Sequence, residues 1–160
     1  MKINDLFFFR EAIHMAQEAG QNGNLPIGAV IVYVNQIVAR GKNGIWHPDL
    51  NLTRHAEMDA LNSLPSGLHQ SCKEMTLYTT LEPCLMCAGA ILLHQIGRVC
   101  YGSADPYGGV STCLDTLPPF FKEVRAKIKW IGPAFPEECD PLYQRIKELE
   151  GRQSDDWRLD

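Results

Sequence analysis

Apolar residues recur at three- and four-residue spacing near the N-terminus, then switch to β-branched runs. Leu6, Phe9, Ile13, Ala16 and Ala19 mark one face of an amphipathic helix from about Asn4 to Gly20, where the glycine stops it. PIGAVIVYVNQIVARG follows as two β-branched runs around Asn35-Gln36 and predicts a hairpin. Asn43 to Thr53 reads as a polar loop holding Trp46 and a His-Pro pair, and residues 54–63 return to a helix ending before Pro65-Ser66-Gly67. EMTLYTT predicts a strand, and Pro83 marks the start of a helix over CLMCAGAILLHQ. RVCYG at 98–102 predicts another strand, leading into the loop ADPYGGVS, and KIKWIG near residue 130 a fifth. Residues 137–150 predict a last helix with Leu142, Ile146 and Leu149 inward. The tail GRQSDDWRLD is polar apart from Trp157 and Leu159.

Strands alternating with helices predict a three-layer α/β domain around a mixed sheet. The opening hairpin is expected to be antiparallel and the strands separated by helices parallel. With 160 residues and neither a repeat nor a linker, the chain reads as one domain over 1–150 with a short tail over 151–160.

Composition narrows the function. At 45% hydrophobic and 21% charged it is that of a globular protein, and a net charge of −4 argues against a broad basic surface. The FFF run near the N-terminus is interrupted by Asp5, Arg10 and Glu11, and the apolar run around CAGAILL is far short of a membrane span, so a cytoplasmic location is expected. In that compartment the six cysteines are reduced, and a close pair of them means metal or redox chemistry before it means a disulfide.

The candidate chemistry begins at TRHAEMDAL. His55 and Glu57 are two residues apart and cannot share a face of a regular helix. They are either unrelated surface groups or both reach a centre at the helix end. Cys84 and Cys87 stand three apart at the start of another helix, so both sulfurs can face one ion, and the helix terminus favours the thiolate that binds metal. Zinc suits such ligands and takes four groups, or three plus a water when it does chemistry. Taken singly, each feature has a plainer reading. The cysteines could be buried packing residues or a redox pair, His55 a cap, and Glu57 a first-turn acid complementing the helix dipole.

Combined, His55-Ala56-Glu57 followed by Pro83-Cys84-Leu85-Met86-Cys87 resembles the zinc deaminase signature. The stretches PIGAVIV, HAE, TLYTTLEPCLMCAGAI and IGRVCYG occur in the order seen in the cytidine deaminase-like superfamily. Over residues 5–117 the chain resembles its branch of bacterial tRNA adenosine deaminase, guanine deaminase and fungal-type cytosine deaminase. The resemblance implies a five-stranded sheet between helices, zinc-dependent hydrolytic deamination and a homodimer. It assigns His55, Cys84 and Cys87 as zinc ligands, Glu57 as proton shuttle and Asn43 as a residue that holds the base. Asp105 and Tyr107 fall in a loop that borders the pocket in this family, with an ordinary Asp-Pro turn as the other reading. Zinc would lower the pKa of a water, and Glu57 would carry its proton to a ring nitrogen and then to the departing amine.

For the substrate, the C-terminal segment weighs against RNA, because five acidic residues from Glu148 onward would repel phosphate. Trp157 and Asp160 instead match the spacing with which the fungal-type cytosine deaminase tail closes over a small base. The expectation is therefore a deaminase of a free nucleobase or nucleoside, cytosine-like or an aminopurine such as guanine, without membrane association. The alternative is tRNA adenosine-to-inosine editing at the wobble position, and a non-catalytic zinc-binding domain stands behind both. The loop WHPDLNLTRHAE departs from the shorter family approach and leaves Arg54 without a role.

Overall fold

Helix and strand alternate as α1 (Asp5–Gln21), β1 (Gly28–Tyr33), β2 (Gln36–Lys42), α2 (Ala56–Asn62), β3 (Thr76–Leu81), α3 (Leu85–His94), β4 (Arg98–Ser103), α4 (Pro119–Arg125), β5 (Lys129–Ile131) and α5 (Pro136–Gln153). The structure, a computed structural model, describes residues 4–153. Its five strands form one sheet in the order β2-β1-β3-β4-β5. β1 runs antiparallel to β2 and β3, whereas β3–β4 and β4–β5 are parallel. This is the mixed α/β sheet that the alternation predicts.

Successive strand residues point to opposite faces, and here both faces are buried. Ala29, Ile31, Leu77 and Val99 join Ala60 and Leu61 of α2, Ile91 and Leu92 of α3 and Val124 of α4 in one apolar cluster. Val30, Val32, Tyr78 and Cys100 pack with Phe8, Phe9 and Ala12 of α1 and Cys139 of α5 in another. The sheet is thus the middle of three layers.

Two expectations shift. The buried stripe of α1 is Phe8, Phe9, Ala12, Ala16 and Ala19, while Leu6 is 38% exposed. The helix turns this stripe inward because its backbone lies directly on β1, where a Cβ on Gly28 would collide with the Ala12 carbonyl and the Ala16 amide. The hairpin turn is centred on Val34-Asn35, one residue earlier than expected, since Tyr33 pairs with Gln36. Both central residues have positive φ, 47° and 58°, the signature of a type I′ turn.

A buried polar network ties α1 to the sheet. Arg98 grips the Asp5 carboxylate with two nitrogens at 2.9 and 2.7 Å, and the Tyr78 hydroxyl donates to the same carboxylate at 2.6 Å. Among the described residues no helix is long and apolar enough to cross a membrane.

Candidate active site

Two helix N-termini converge on one point. His55 is the N-cap of α2 and Cys84 the N-cap of α3, both with extended backbone, so neither is bound by the face rule of a regular helix. Cys87 lies one turn into α3 and is fully buried. Its Sγ and that of Cys84 each stand 3.6 Å from His55 Nδ1. The donor atoms of the three residues all fall within 4.8 Å of one another, the one such group among the described residues.

These distances test the fit to zinc. Bonds of roughly 2.1 Å to nitrogen and 2.3 Å to sulfur at a tetrahedral angle separate the two ligand atoms by about 3.6 Å. The observed spacing is that of a tetrahedron edge. One imidazole and two thiols also form the soft donor set that zinc prefers, and three donors leave a fourth position free.

The three groups share protons with one another. A hydrogen bond from the Cys87 thiol, helped by His55, holds the Cys84 thiol down at about 4. The same sharing of one proton with Cys84, together with burial, pushes Cys87 up. The bond to Cys84 also raises His55.

Glu57, on the first turn of α2, is 3% exposed, and burial pushes its carboxyl above the ordinary value. The Thr79 hydroxyl donates to its Oε1 at 3.1 Å, and the Cys87 thiol donates to Oε2 at 3.4 Å. A carboxyl with raised affinity for a proton, held beside the ligand cluster, has the properties of a general base and acid.

The seating of α2 follows from its neighbours. A Cβ on Gly41 of β2 would run into the Ala56 carbonyl oxygen and the Ala60 amide nitrogen, so only glycine lets the helix lie against the strand. The Lys42 amide donates to Asp59 Oδ2 at 3.1 Å and the Gly44 amide to the Arg54 carbonyl at 3.0 Å. Asn43 lies between those two bonds and is thereby drawn against the HAE segment. It is 1% exposed; its Oδ1 accepts from the Ile45 amide at 3.3 Å, while Nδ2 is buried without a partner among the described residues. A buried donor left without a partner costs about 1–3 kcal/mol. Arg54 also finds a place: its side chain lies across Gly44 and its Nε stands 3.7 Å from Asp59 Oδ1. It braces the loop that precedes the site.

Glu82 is a positioning residue that the sequence reading missed. Buried at the end of β3, it accepts the amide of Asp105 at 3.0 Å and that of Ser111 at 2.8 Å. The loop so captured bridges Gly109 to Cys84 and donates the Val110 amide to the Pro83 carbonyl at 3.0 Å. The loop after β4 thus clamps the ligand-bearing turn. Asp105 lies in this loop, where its Oδ1 accepts from the Tyr107 and Gly108 amides and, at 2.9 Å, from the Tyr143 hydroxyl of α5. Tyr107 is 99% exposed. Trp157 and Asp160 lie outside the described residues. Thr79 carries a signal that period-two alternation could have exposed, a polar residue between Leu77 and Leu81 on a buried strand face.

The sequence model of the cytidine and deoxycytidylate deaminase zinc-binding region matches residues 2–103. The chain is 35% identical over 151 residues to tRNA-specific adenosine deaminase 2 of Xenopus tropicalis, covering 89% of this chain and 88% of that one. It is 37% identical over 138 residues to tRNA-specific adenosine deaminase of Bacillus subtilis (strain 168), covering 84% and 83%. A solved structure from studies of A-to-I editing by tRNA deaminases at the wobble position superposes with a TM-score of 0.62 at 35% identity, covering 71% of this chain and 90% of that one.

These similarities overturn the expectation of a free nucleobase or nucleoside substrate and the disfavouring of tRNA as partner. The expectation rested on net charge, on the acidic tail and on the spacing of Trp157 and Asp160. Net charge sums over a whole surface, whereas Lys122, Lys127 and Lys129 are exposed within eight residues of the α4–β5 segment despite a total of −4. Of the tail acids, Asp155, Asp156 and Asp160 lie outside the described residues. With its zinc-ligand cluster and buried glutamate, the chain is a zinc-dependent hydrolytic deaminase and belongs to the cytidine and deoxycytidylate deaminase family.

Proposed function

We propose that this chain deaminates adenosine to inosine in transfer RNA, at the wobble position of the anticodon. The observation that carries the reading is the pairing of an intact site with relatives of that name along most of the chain. When bound to His55, Cys84 and Cys87, zinc supplies Lewis acidity that brings a water's pKa towards neutrality. Glu57 takes a proton from the water at Oε2 and delivers it to the ring nitrogen beside the amine-bearing carbon; it then takes the second proton from the hydroxyl added to that carbon and passes it to the departing amine. Water and adenosine give inosine and ammonia, and Glu57 ends as it began.

The open Asn43 Nδ2 supports a role in holding the base, since a purine ring nitrogen is the acceptor it lacks. Asp105 enters through the loop that it folds beside Cys84. The homodimer belongs to this proposal too, with Leu85 and Leu93 exposing an apolar stripe on α3. So does a cytoplasmic location, where such a substrate is met.

Incubating the zinc-loaded chain with an anticodon stem-loop bearing adenosine at the wobble position, then digesting the RNA to nucleosides, tests the reading. Inosine should accumulate from RNA and not from free adenosine. An RNA left unchanged while the chain holds zinc would sink it.

A further inference from the structure

Thr79 puts a hydroxyl where packing alone calls for a methyl. It sits at the centre of β3, paired with Ala29 of β1 and Tyr101 of β4, and is 0% exposed. Its strand-face neighbours Leu77 and Leu81 belong to the apolar core beneath α2 and α3. A hydroxyl buried among such groups is costly unless it is hydrogen-bonded. Its partner is Glu57 Oε1, at 3.1 Å. The adjacent Thr80 points the other way and accepts from the Gly28 amide at 3.2 Å, so the two threonines serve opposite sides of the sheet.

The other Glu57 oxygen receives the Cys87 thiol at 3.4 Å. A cysteine acting as a metal ligand is a thiolate and has no proton to give. That contact therefore ceases to be a hydrogen bond once the site is loaded. Thr79 then remains the side-chain donor to Glu57 among the described residues. We propose that Thr79 is a positioning residue: by holding Oε1 from a rigid central strand, it turns Oε2 towards the reacting water and base. This deepens the deaminase reading and rests on it.

The test compares Thr79→Val, which keeps the shape and removes the hydroxyl, with Thr79→Ser, which keeps the hydroxyl, both in the zinc-loaded full chain. Loss of a hydrogen bond to a charged group is worth roughly tenfold to a hundredfold, and kcat on RNA should fall by that factor in Thr79→Val. KM and zinc stoichiometry should stay at wild-type values, and Thr79→Ser should recover most of kcat. In a Glu57→Gln background, Thr79→Val should cause no further loss. A second readout needs no turnover: the infrared carboxylate band that Glu57→Gln removes should shift in Thr79→Val and return in Thr79→Ser. Unchanged kcat with an unshifted band overturns the proposal, as does a loss carried by zinc release or by KM. A wild-type chain inert on RNA overturns the substrate reading instead, and the band shift still decides Thr79.

Discussion

Four side chains carry the proposed chemistry, and their spacing along the chain leads almost directly to their places in space. His55 and Cys84 are helix N-caps, Glu57 follows two residues after the first, and Cys87 one turn after the second. A local motif at a helix start has little freedom, so HAE and PCxxC are legible without the fold. Glu82 and Thr79 are not legible in that way. Whether a polar side chain is buried depends on what packs over it, and the loop above Glu82 comes from 23 to 29 residues further along. Arg54 was opaque for the same reason, since Gly44 and Asp59 reach it only through the fold. At this scale the prediction concerns Glu57. Glu57→Gln should retain one zinc per chain by atomic absorption while turnover drops by about a hundredfold or more, the usual worth of a positioned acid–base group. Loss of the metal would make Glu57 structural.

Elements are legible in the sequence where a pattern is long and not where it is short. α1 and the strands announce themselves by period, but α4 spans only seven residues behind Pro118 and Pro119 and exposes Phe120 at 54%. So brief a helix is chosen by the core beneath it, through Val124, and not by its own pattern. The junction of α1 with β3 and β4 shows what element packing adds. Asp5, Tyr78 and Arg98 share a buried network whose members come from three elements. Removing one partner strands a buried charge. Arg98→Met should destabilise the fold by about 3–5 kcal/mol, read from urea unfolding. A loss below 1 kcal/mol would mean that water replaces the guanidinium freely.

The whole molecule adds a dependence on alkaline pH. Burial raises Cys100 from 9.0 to about 11 and Cys139 from 9.0 to about 12, and it raises Tyr78 as well. In each case the folded state keeps a proton that the unfolded chain releases first. The stability these groups give is complete below pH 9 and is lost as pH climbs through their folded values, at about 1.4 kcal/mol per pH unit for each group. Urea midpoints should therefore fall between pH 8 and pH 10.5. The fall should be shallower in a Cys100→Ala, Cys139→Ala double variant, and equal slopes would remove the thiols from the account. Charge also teaches a lesson at this scale. A net charge of −4 describes the sum over the sequence and nothing about where a polyanion would rest, which is why it does not reveal the substrate.

The proposed reaction is that of this zinc site on one adenosine of a transfer RNA. Two transcripts should be treated with the zinc-loaded chain, one with adenosine at the wobble position and one with that adenosine moved a single nucleotide away. Reverse transcription reads inosine as guanosine and so locates the edited base. The account predicts complete conversion at the wobble adenosine of the first transcript and none in the second. Conversion of neither, or of both alike, would contradict it.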